Sequence, residues 1–296
     1  MIIGSRGSHL ALWQAEWVAA QLAARGRKAR IQIIKTTGDK ITDVALSKIG
    51  SKGLFTKELE EALLRGEIDL AVHSLKDMPT EIPAGLELAA VPQREDPRDA
   101  LIGSTLHELK QGARVGTSSL RRSAQLRAAR PDLTVESLRG NLDTRLRKLD
   151  KGQFDAIVLA AAGLRRLGWA HRIAEALPVE IMCPAPGQGA LAIETREGSG
   201  LGELLDDNPS RLAVTAERAL LGGLGGGCQV PIGAHARLEG ETLHLRAVVA
   251  SPDGVNLIAR QSSGAAADAS AIGEHLARLL LAEGAAAILA SVYGAA

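Results

Sequence analysis

The sequence predicts an α/β protein in which two α/β domains of related topology precede a small α+β domain. Three observations support this fold class. Strand and helix patterns alternate over the first 95 residues, the same order of motifs recurs after residue 113, and the pattern changes near residue 209. Alternating strands and helices are typical of a mostly parallel sheet with helices on its faces. A chain of 296 residues has room for two or three domains.

The first domain is predicted to start on a short strand and then to alternate. Its predicted elements are a strand at 1–4, a helix at 10–24, a strand at 30–35, a helix at 55–64 and a strand at 68–73. The β-branched residues of 30–35 favour a strand, and the apolar spacing of 10–24 favours an amphipathic helix.

The second domain repeats this order. Residues 113–130 again run from strand to glycine, small polar residues and helix, and 133–138 matches the second strand. GEIDLAV (66–72) is similar to GQFDAIV (152–158), and each follows a helix and enters a strand. The repeat predicts two domains facing each other across a cleft. Segment 183–189, CPAPGQG, is either a linker or a crossover back to the first domain, followed by a strand at 190–194.

The last part of the chain has a different pattern. A helix at 211–221 precedes a glycine-rich loop, and strands at 232–238 and 242–250 are joined by a short turn. A turn at 252–254 leads to a third strand, and helices follow near 268–282 and 284–293. Three antiparallel strands covered by helices make a small α+β domain.

Composition excludes several classes of protein. Only six residues are aromatic, fewer than single-stranded nucleic-acid binders need for base stacking. The N-terminal segment lacks the features of a signal peptide, and no apolar run approaches the roughly 20 residues that span a membrane. Cys183 and Cys228 lie far apart and make no metal-ligand spacing. We therefore expect a cytoplasmic protein with no metal site, no disulfide and no nucleic-acid or membrane partner.

Charge is concentrated in one part of the chain. The net charge is +1, but residues 113–172 carry 13 Lys or Arg and five acidic residues, which gives that segment +8. The arginines follow predicted strands, the place where ligands bind in open α/β sheets. Arginine offers a planar fork to carboxylate or phosphate, so the sequence predicts an anion site. The candidate arginines are Arg121, Arg122, Arg139, Arg145, Arg165 and Arg166. Three hydroxyl residues at a predicted helix start, Thr117, Ser118 and Ser119, are candidates as well.

For GTSSLRR (116–122) alone, a capped surface helix with solvated arginines is an equally good interpretation. Arg121 and Arg122 point in different directions on a helix, so one can bind a ligand while the other pairs internally. In the first domain, Arg6 and Ser8 stand at a helix start, and HSLKDMP (73–79) ends a strand. Its carboxylate can stabilise a cation or shuttle a proton, although a solvated Lys–Asp pair is the commoner arrangement.

The stretch GGLGGGCQVPIG (222–233) places five glycines before Cys228. Glycine is kept where the backbone bends sharply or something bulky approaches, and a loop with so few side chains buries a thiol poorly. An accessible thiol acts as a nucleophile or as a covalent attachment point. Cys183 is expected to be a small buried hydrophobic residue.

Together these motifs resemble the porphobilinogen deaminase family over essentially the whole chain. The matching segments are SRGSHLALWQA (5–15), SKGLFTKELE (51–60), AVHSLKDMPT (71–80), REDPRDA (94–100), GTSSLRRSAQL (116–126), SLRGNLDTRLRKLD (137–150), AAGLRRLG (161–168), GQGAL (187–191) and GGCQVPIG (226–233). Each is a modest signal alone, whereas their common order is a strong one.

The resemblance implies two lobes similar to those of bilobed binding proteins, joined by two hinge strands, and a third domain with the cofactor cysteine. The expected domains are 1–97 with 187–208, then 98–186, then 209–296. The implied reaction is the stepwise condensation of four porphobilinogen molecules, each losing ammonia, followed by hydrolytic release of 1-hydroxymethylbilane. A monomer is implied.

The resemblance also implies roles for individual residues. Cys228 is expected to carry a dipyrromethane in thioether linkage, and Asp77 is expected to be the catalytic aspartate. Because each pyrrole carries an acetate and a propionate, the growing chain needs many cations around it. The positions matching the family's cleft are Arg6, Ser8, Lys76, Thr117, Ser118, Ser119, Arg121, Arg122, Arg139, Gly140, Arg145 and Arg166, and Lys52 and Phe55 match a flexible loop over the site.

Two positions depart from the family's pattern. Gly225 stands where relatives usually have glutamate, which predicts a looser cofactor loop, and Pro186 replaces a usual valine in a hinge. Two other functions remain open at this point. A bilobed anion-binding protein without catalysis would leave Cys228 unexplained, and a nucleic-acid binder fits poorly with near-neutral charge and scarce aromatics.

Overall fold

The computed structural model describes residues 1–40, 53–201, 204–226 and 230–293, which form three sheets with helices between them. The strands are β1 (Ile2–Ser5), β2 (Arg30–Ile33), β3 (Leu70–Ser74), β4 (Leu86–Ala90), β5 (Asp99–Ile102), β6 (Arg114–Gly116), β7 (Thr134–Glu136), β8 (Ala156–Ala160), β9 (Ile173–Ala176), β10 (Leu191–Arg196), β11 (Ile232–Glu239), β12 (Thr242–Ala250) and β13 (Leu257–Ala265). The helices are α1 (His9–Ala23), α2 (Thr37–Lys40), α3 (Lys57–Leu64), α4 (Leu120–Ala129), α5 (Leu142–Asp150), α6 (Ala161–Arg166), α7 (Asn208–Gly223), α8 (Ala269–Leu280) and α9 (Ala286–Tyr293).

The first two sheets have the same strand order, which confirms the repeat predicted from the sequence. The orders are β2-β1-β3-β10-β4 and β7-β6-β8-β5-β9. In each sheet the first three strands run parallel, and the fourth runs antiparallel to both of its neighbours. That fourth strand follows a crossing between the sheets: β5 enters the second sheet, and β10 returns to the first. CPAPGQG is therefore the return crossover rather than a simple linker.

Side-chain caps determine where several helices begin. Ser8, Ser119 and Asn141 each accept a hydrogen bond from the backbone amide three residues later, at 3.3, 3.4 and 2.9 Å. Such caps satisfy amides that have no partner within the helix. Helix α7 begins before the predicted residue 211 because Asp207 caps it and a proline occupies its first turn.

The third sheet is an antiparallel β11-β12-β13 sheet that packs against α7 and α8. This confirms the predicted α+β domain. The helical stretch Ala266–Val292 contains 27 residues and is long and apolar enough to cross a membrane by length and composition, which corrects the expectation that no apolar run has that length. Its inner face, including Leu276 and Leu280, belongs to the core over the sheet, and Gly284 breaks its helical geometry. A core helix of a globular domain meets the same criterion.

The third domain also contacts both lobes, close to the crossovers. Ala124 of α4 packs with Cys183 and Val248 in one buried cluster, and Arg127 donates a hydrogen bond to the Pro252 carbonyl at 2.6 Å. The crossover segments pass each other at Gly189, where a Cβ atom would lie 2.3 Å from the carbonyl oxygen of Glu95. Only glycine fits there, so the close passage of the two segments depends on it.

Candidate active site

Strand ends of the two lobes bring charged side chains into one cluster. In the first lobe, β3 leads into a 3₁₀ turn, Leu75–Asp77, which carries Lys76 and Asp77. In the second, α4 and α5 follow parallel strands β6 and β7 and carry the arginines. Lys76 lies within electrostatic range of Arg121 and Arg122, and Asp77 lies within range of Arg145. The cleft predicted between two α/β domains is therefore lined from both sides.

The turn that carries Lys76 and Asp77 presents both side chains half-buried. Among the described residues, the Asp77 carboxylate accepts no hydrogen bond, so this part of the structure leaves it available to a ligand. Burial among protein atoms lowers the pKa of Lys76 to about 8, with Asp77 opposing this shift and Arg122 adding to it. Lys76 is therefore a cation at neutral pH that can lose its charge under mildly alkaline conditions.

Arg121 and Arg122 both pair with a fully buried carboxylate, that of Asp99 on β5. The Arg121 Nη1–Asp99 Oδ2 and Arg122 Nη2–Asp99 Oδ1 distances are both 2.6 Å. Burial opposes ionisation of Asp99, but the two guanidinium groups outweigh it and hold the pKa of Asp99 well below its usual range. The sequence allowed one arginine to pair internally, whereas both do so in this structure. The triad keeps a net positive charge beside Lys76.

Arg145 and Arg166 are half-buried and make hydrogen bonds to backbone carbonyls. Arg145 Nε donates to the Gly140 carbonyl at 2.8 Å, and Arg166 Nη2 donates to that of Gly189 at 2.6 Å. Burial lowers the pKa of each guanidinium to about 10, so both stay charged at neutral pH. Neither bond involves a carboxylate, which leaves these positive charges available to an anion. Arg165 is exposed and instead lies 3.1 Å from Asp96.

The turn before α5 depends on Gly140. This residue has a φ of +115°, a left-handed conformation that glycine adopts without strain. Arg139 precedes it and is half-buried, and its carbonyl accepts a hydrogen bond from Lys148 Nζ at 3.2 Å. The turn thus places Arg139 and Arg145 on one loop and helix start at the end of β7.

The hydroxyl residues before α4 are tied to neighbouring backbone. Ser118 Oγ donates to the Leu138 carbonyl at 2.7 Å, and Thr117 Oγ1 accepts from the Ser119 amide at 3.2 Å. Thr117 is buried, while Ser118 is exposed. These bonds hold the loops after β6 and β7 together, so the α4 start and the Arg139 turn form one surface.

Arg6, Ser8 and Phe55 lie together at the start of α1. The Arg6 guanidinium stacks over the Phe55 ring at 4.2 Å and pairs with Asp39 at 2.5 Å. Phe55 lies in the turn before α3, which begins at Lys57 rather than at the predicted residue 55. The structure gives Arg6 a carboxylate partner that sequence analysis did not identify. Lys52 lies outside the described residues.

A buried glutamate joins the crossovers to the third domain. Glu217 of α7 accepts hydrogen bonds from Arg94 Nη1 and from the amides of Gly187 and Ala236, each at 2.7 Å. Gln188 continues the network, because its side-chain amide donates to Asp99 at 2.9 Å. Both crossovers and β11 therefore meet at one carboxylate. Helix α7 leads into the glycine-rich loop and β11 follows it, so Glu217 connects that loop's two ends to the lobes.

Arg94, Asp99 and Gln188 lie in motifs matched to the family, but no role was predicted for them from the sequence. An acidic residue in the otherwise apolar strand β5 was the available signal for Asp99. Cys228 lies outside the described residues. Gly225, next to that segment, has a φ of +64°, which glycine adopts without strain and glutamate does not.

Fold and site together define a two-lobed α/β protein with cationic side chains from both lobes in one cluster. Family models match in order along the chain: "Porphobilinogen deaminase, dipyromethane cofactor binding domain" over residues 1–201, and "Porphobilinogen deaminase, C-terminal domain" over residues 211–282. Relatives named porphobilinogen deaminase include those of Geobacter sulfurreducens, 52% identical over 98% of this chain and 94% of the relative, and Desulforudis audaxviator, 55% identical over 99% and 97%.

The chain belongs to the porphobilinogen deaminase family. It is a transferase of tetrapyrrole biosynthesis that uses porphobilinogen and a dipyrromethane cofactor. Cations from both lobes match a cofactor and product rich in carboxylates, so the residues present fit this group. Among solved structures, the second substrate-binding domain of Lactococcus lactis GlnP is similar at a TM-score of 0.42, with 14% identity over 76% of this chain and 89% of that one.

Proposed function

We propose that Asp77 is the catalytic carboxylate, that Cys228 anchors the dipyrromethane, and that cations of both lobes bind the acetate and propionate groups of the growing chain. One observation carries the proposal: Asp77 and Lys76 from one lobe lie within electrostatic range of arginines from the other. A carboxylate in a cationic cleft can act on pyrrole nitrogens while the cations hold the pyrrole side chains.

Asp77 acts through its charge and its free oxygens. An ionised carboxylate accepts hydrogen bonds from pyrrole N–H groups and stabilises positive charge that develops on the ring as ammonia leaves. The same oxygens can hold the proton released when the ring regains aromaticity.

The cationic side chains divide into two groups. Among the described residues, no carboxylate forms a salt bridge with Arg145 or Arg166, and we propose that these two arginines bind substrate carboxylates directly. Arg121 and Arg122 share Asp99, and their spare positive charge attracts the same carboxylates. We propose that the other predicted members of the site complete this surface, and these are Arg6, Ser8, Thr117, Ser118, Ser119, Arg139 and Gly140, with Lys52 and Phe55 on the covering loop.

The burial of Cys183 supports Cys228 as the anchor. Cys183 is fully enclosed, and burial raises the pKa of its thiol to about 12, which leaves it protonated and unreactive. When bound, the dipyrromethane supplies the free carbon to which substrate units are joined. Next to the Cys228 segment, no heavy atom lies within 4 Å of the position that a Cβ atom of Gly225 would take, which leaves open space on that side.

Intact mass spectrometry with peptide mapping tests the anchor. After incubation with porphobilinogen, we expect wild type and Cys183→Ser to carry the mass of a dipyrromethane on the Cys228 peptide, and Cys228→Ser to carry none. Cys183→Ser is the matched control, because both variants lose one thiol. An adduct on Cys228→Ser protein would refute the assignment.

We expect the pH dependence of catalysis to reveal Lys76. Because the free enzyme holds the pKa of Lys76 at about 8, kcat/KM should fall as pH rises through that value and the cation is lost. In Lys76→Arg the charge persists, so the alkaline limb should move to higher pH. Initial rates at pH values from about 6.5 to 9.5, a range on both sides of the Lys76 pKa, give the position of this alkaline limb in both proteins. Identical alkaline limbs in both proteins would contradict a role for Lys76 in binding.

We also propose the domain division 1–97 with 187–208, 98–186 and 209–296. The membership of the sheets supports it, because β10 belongs to the first sheet and β5 begins the second. We propose that the protein acts as a cytoplasmic monomer, as the family resemblance implies. Sedimentation equilibrium of the cofactor-loaded protein tests the monomer.

A further inference from the structure

Three ionisable side chains are buried together in the first lobe, outside the cationic cluster. Glu60 lies on α3, His73 on β3 and Glu194 on β10, with 8%, 5% and 0% of each residue exposed. His73 Nε2 lies 2.9 Å from Glu194 Oε2. The elements that meet here include β3, which leads directly to Lys76 and Asp77.

The cluster contains two carboxyl groups, and some of their oxygen atoms have no hydrogen-bond donor nearby in the described part of the chain. Glu60 Oε1 and Glu194 Oε1 are enclosed atoms, and neither has a hydrogen-bond partner among the described residues. An ionised carboxylate in such a place costs several kcal/mol, roughly, unless it is paired. Glu60 also lies within electrostatic range of Glu194, so two ionised carboxylates here would repel each other. A proton on one carboxyl removes one of these charges and turns an acceptor into a donor.

The charges facing Glu60 favour such a proton. Burial raises the pKa of Glu60 first of all, and the charges of Glu194 and Glu58 raise it further. Thr56 and His73 act in the opposite direction and do not cancel the shift. Among the described residues that line the neighbouring pocket, Lys57 and Glu81 are also charged.

That pocket gives the cluster a route to solvent. It has a volume of about 240 Å³ and is lined by Glu60, Lys57, Glu81 and Pro79, among others. A cavity of this size holds several water molecules. A proton can therefore exchange between bulk water and Glu60 without unfolding of the lobe.

We propose that Glu60, His73 and Glu194 form a proton-binding site in which the folded lobe keeps one proton, taken from solvent, at pH values where an exposed glutamate is ionised. The proton joins α3 to the strands β3 and β10. When it is lost, two carboxylates repel each other between α3 and β10, and α3 loosens. Phe55 precedes α3 and Asp77 follows β3. By joining α3 to β3, the proton therefore also keeps Phe55 and Asp77 in fixed positions relative to each other.

Glu60→Gln tests the proposal because the amide imitates a neutral carboxylic acid. A group whose pKa is raised on folding stabilises the fold below its ordinary pKa and loses that contribution as pH rises. The folding equilibrium constant of wild type should therefore fall, relative to Glu60→Gln, by up to about tenfold per pH unit above the ordinary carboxyl pKa, until the raised pKa is passed. Urea unfolding at pH 5, 6, 7 and 8 measures the ratio.

Glu61→Gln is the matched control. Glu61 is the next residue of the same helix, its side chain is 46% exposed, and its partners are Lys57 and Arg65 at the surface. The folding equilibrium constant of Glu61→Gln, relative to that of wild type, should not rise with pH as that of Glu60→Gln does. Hydrogen exchange at one alkaline pH should show faster exchange in α3 of wild type than of Glu60→Gln.

Infrared spectroscopy supplies a measurement that does not depend on stability. Native protein at about pH 5, above the ordinary carboxyl pKa, should show the carbonyl stretch of a protonated carboxyl group that Glu60→Gln lacks. If Glu60→Gln fails to fold, the alternative measurement is a pH titration of wild type, in which the same band should disappear as the pH is raised. The proposal would be overturned if the ratio of the folding constants of wild type and Glu60→Gln did not change with pH. It would also be overturned if that ratio changed with added ammonium or sodium instead, because a cation would then occupy the cluster, or if the infrared band were absent.

Discussion

Replacing Asp77 with asparagine should lower the rate of hydroxymethylbilane formation by roughly 10²- to 10⁴-fold, the range for loss of a positioned acid or base. Asparagine keeps the size of the side chain but cannot stabilise a developing positive charge or hold a proton. Folding should be unaffected, because no described residue donates a hydrogen bond to the Asp77 carboxylate. Single-turnover rates, expressed per molecule that carries the cofactor by intact mass, measure the effect.

Asp150→Asn is a suitable control for this experiment. Asp150 is 54% exposed and pairs with Arg172 at the surface of the second lobe, away from the charged cluster. We expect this variant to turn over like wild type. A rate for Asp77→Asn within threefold of wild type, about 0.7 kcal/mol in activation free energy, would contradict a catalytic role.

The second large effect concerns stability. Asp99→Asn should lower the free energy of unfolding at pH 7 by about 3–5 kcal/mol, because it leaves two buried guanidinium groups without their shared carboxylate. Arg121 and Arg122 are 4% and 6% exposed and cannot reach water without rearrangement. Asparagine keeps one acceptor oxygen but turns an NH2 donor toward one of the guanidinium groups, so hydrogen bonds are lost together with the charge. Urea unfolding of the variant and of wild type measures it.

The pH dependence of this effect has a definite sign. The pKa of Asp99 is lower in the folded protein than in the unfolded chain, so its contribution is complete above the ordinary aspartate pKa and declines as pH falls. The gap between wild type and Asp99→Asn should therefore narrow below about pH 4. Asp150→Asn again serves as control and should cost less than about 1 kcal/mol, as for exposed pairs. A comparable cost for both variants would show that the Asp99 pairs contribute little.

Much of the fold could be predicted because the chain repeats its own pattern. GEIDLAV and GQFDAIV lie in or next to β3 and β8, which occupy the same place in their two sheets. The local sequence pattern predicted the first and last residues of helices less accurately. Helix α3 starts two residues late because Phe55 packs over Arg6 instead of extending the helix, and α7 starts early because of its cap.

The candidate site was less predictable, since pairing depends on partners distant in sequence. The arginine-rich segment and the Lys76–Asp77 turn were visible as motifs at predicted strand ends. Asp99 precedes Arg121 by 22 residues and lies in another element, so sequence alone could not assign it to both arginines. Glu217 and Arg94 are 123 residues apart, and His73 and Glu194 are 121 residues apart.

The two related α/β lobes, the α+β domain and the set of charged residues offered to a ligand could be predicted from the sequence, because periodicity and motif order are local properties. Which of those charges are already neutralised depends on the tertiary structure. Arg121 and Arg122 share the Asp99 carboxylate, Arg145 and Arg166 donate hydrogen bonds to carbonyls, and Glu60 lies within electrostatic range of the buried Glu194. Electrostatic energy depends on distance and burial, and both arise when separate segments are packed together.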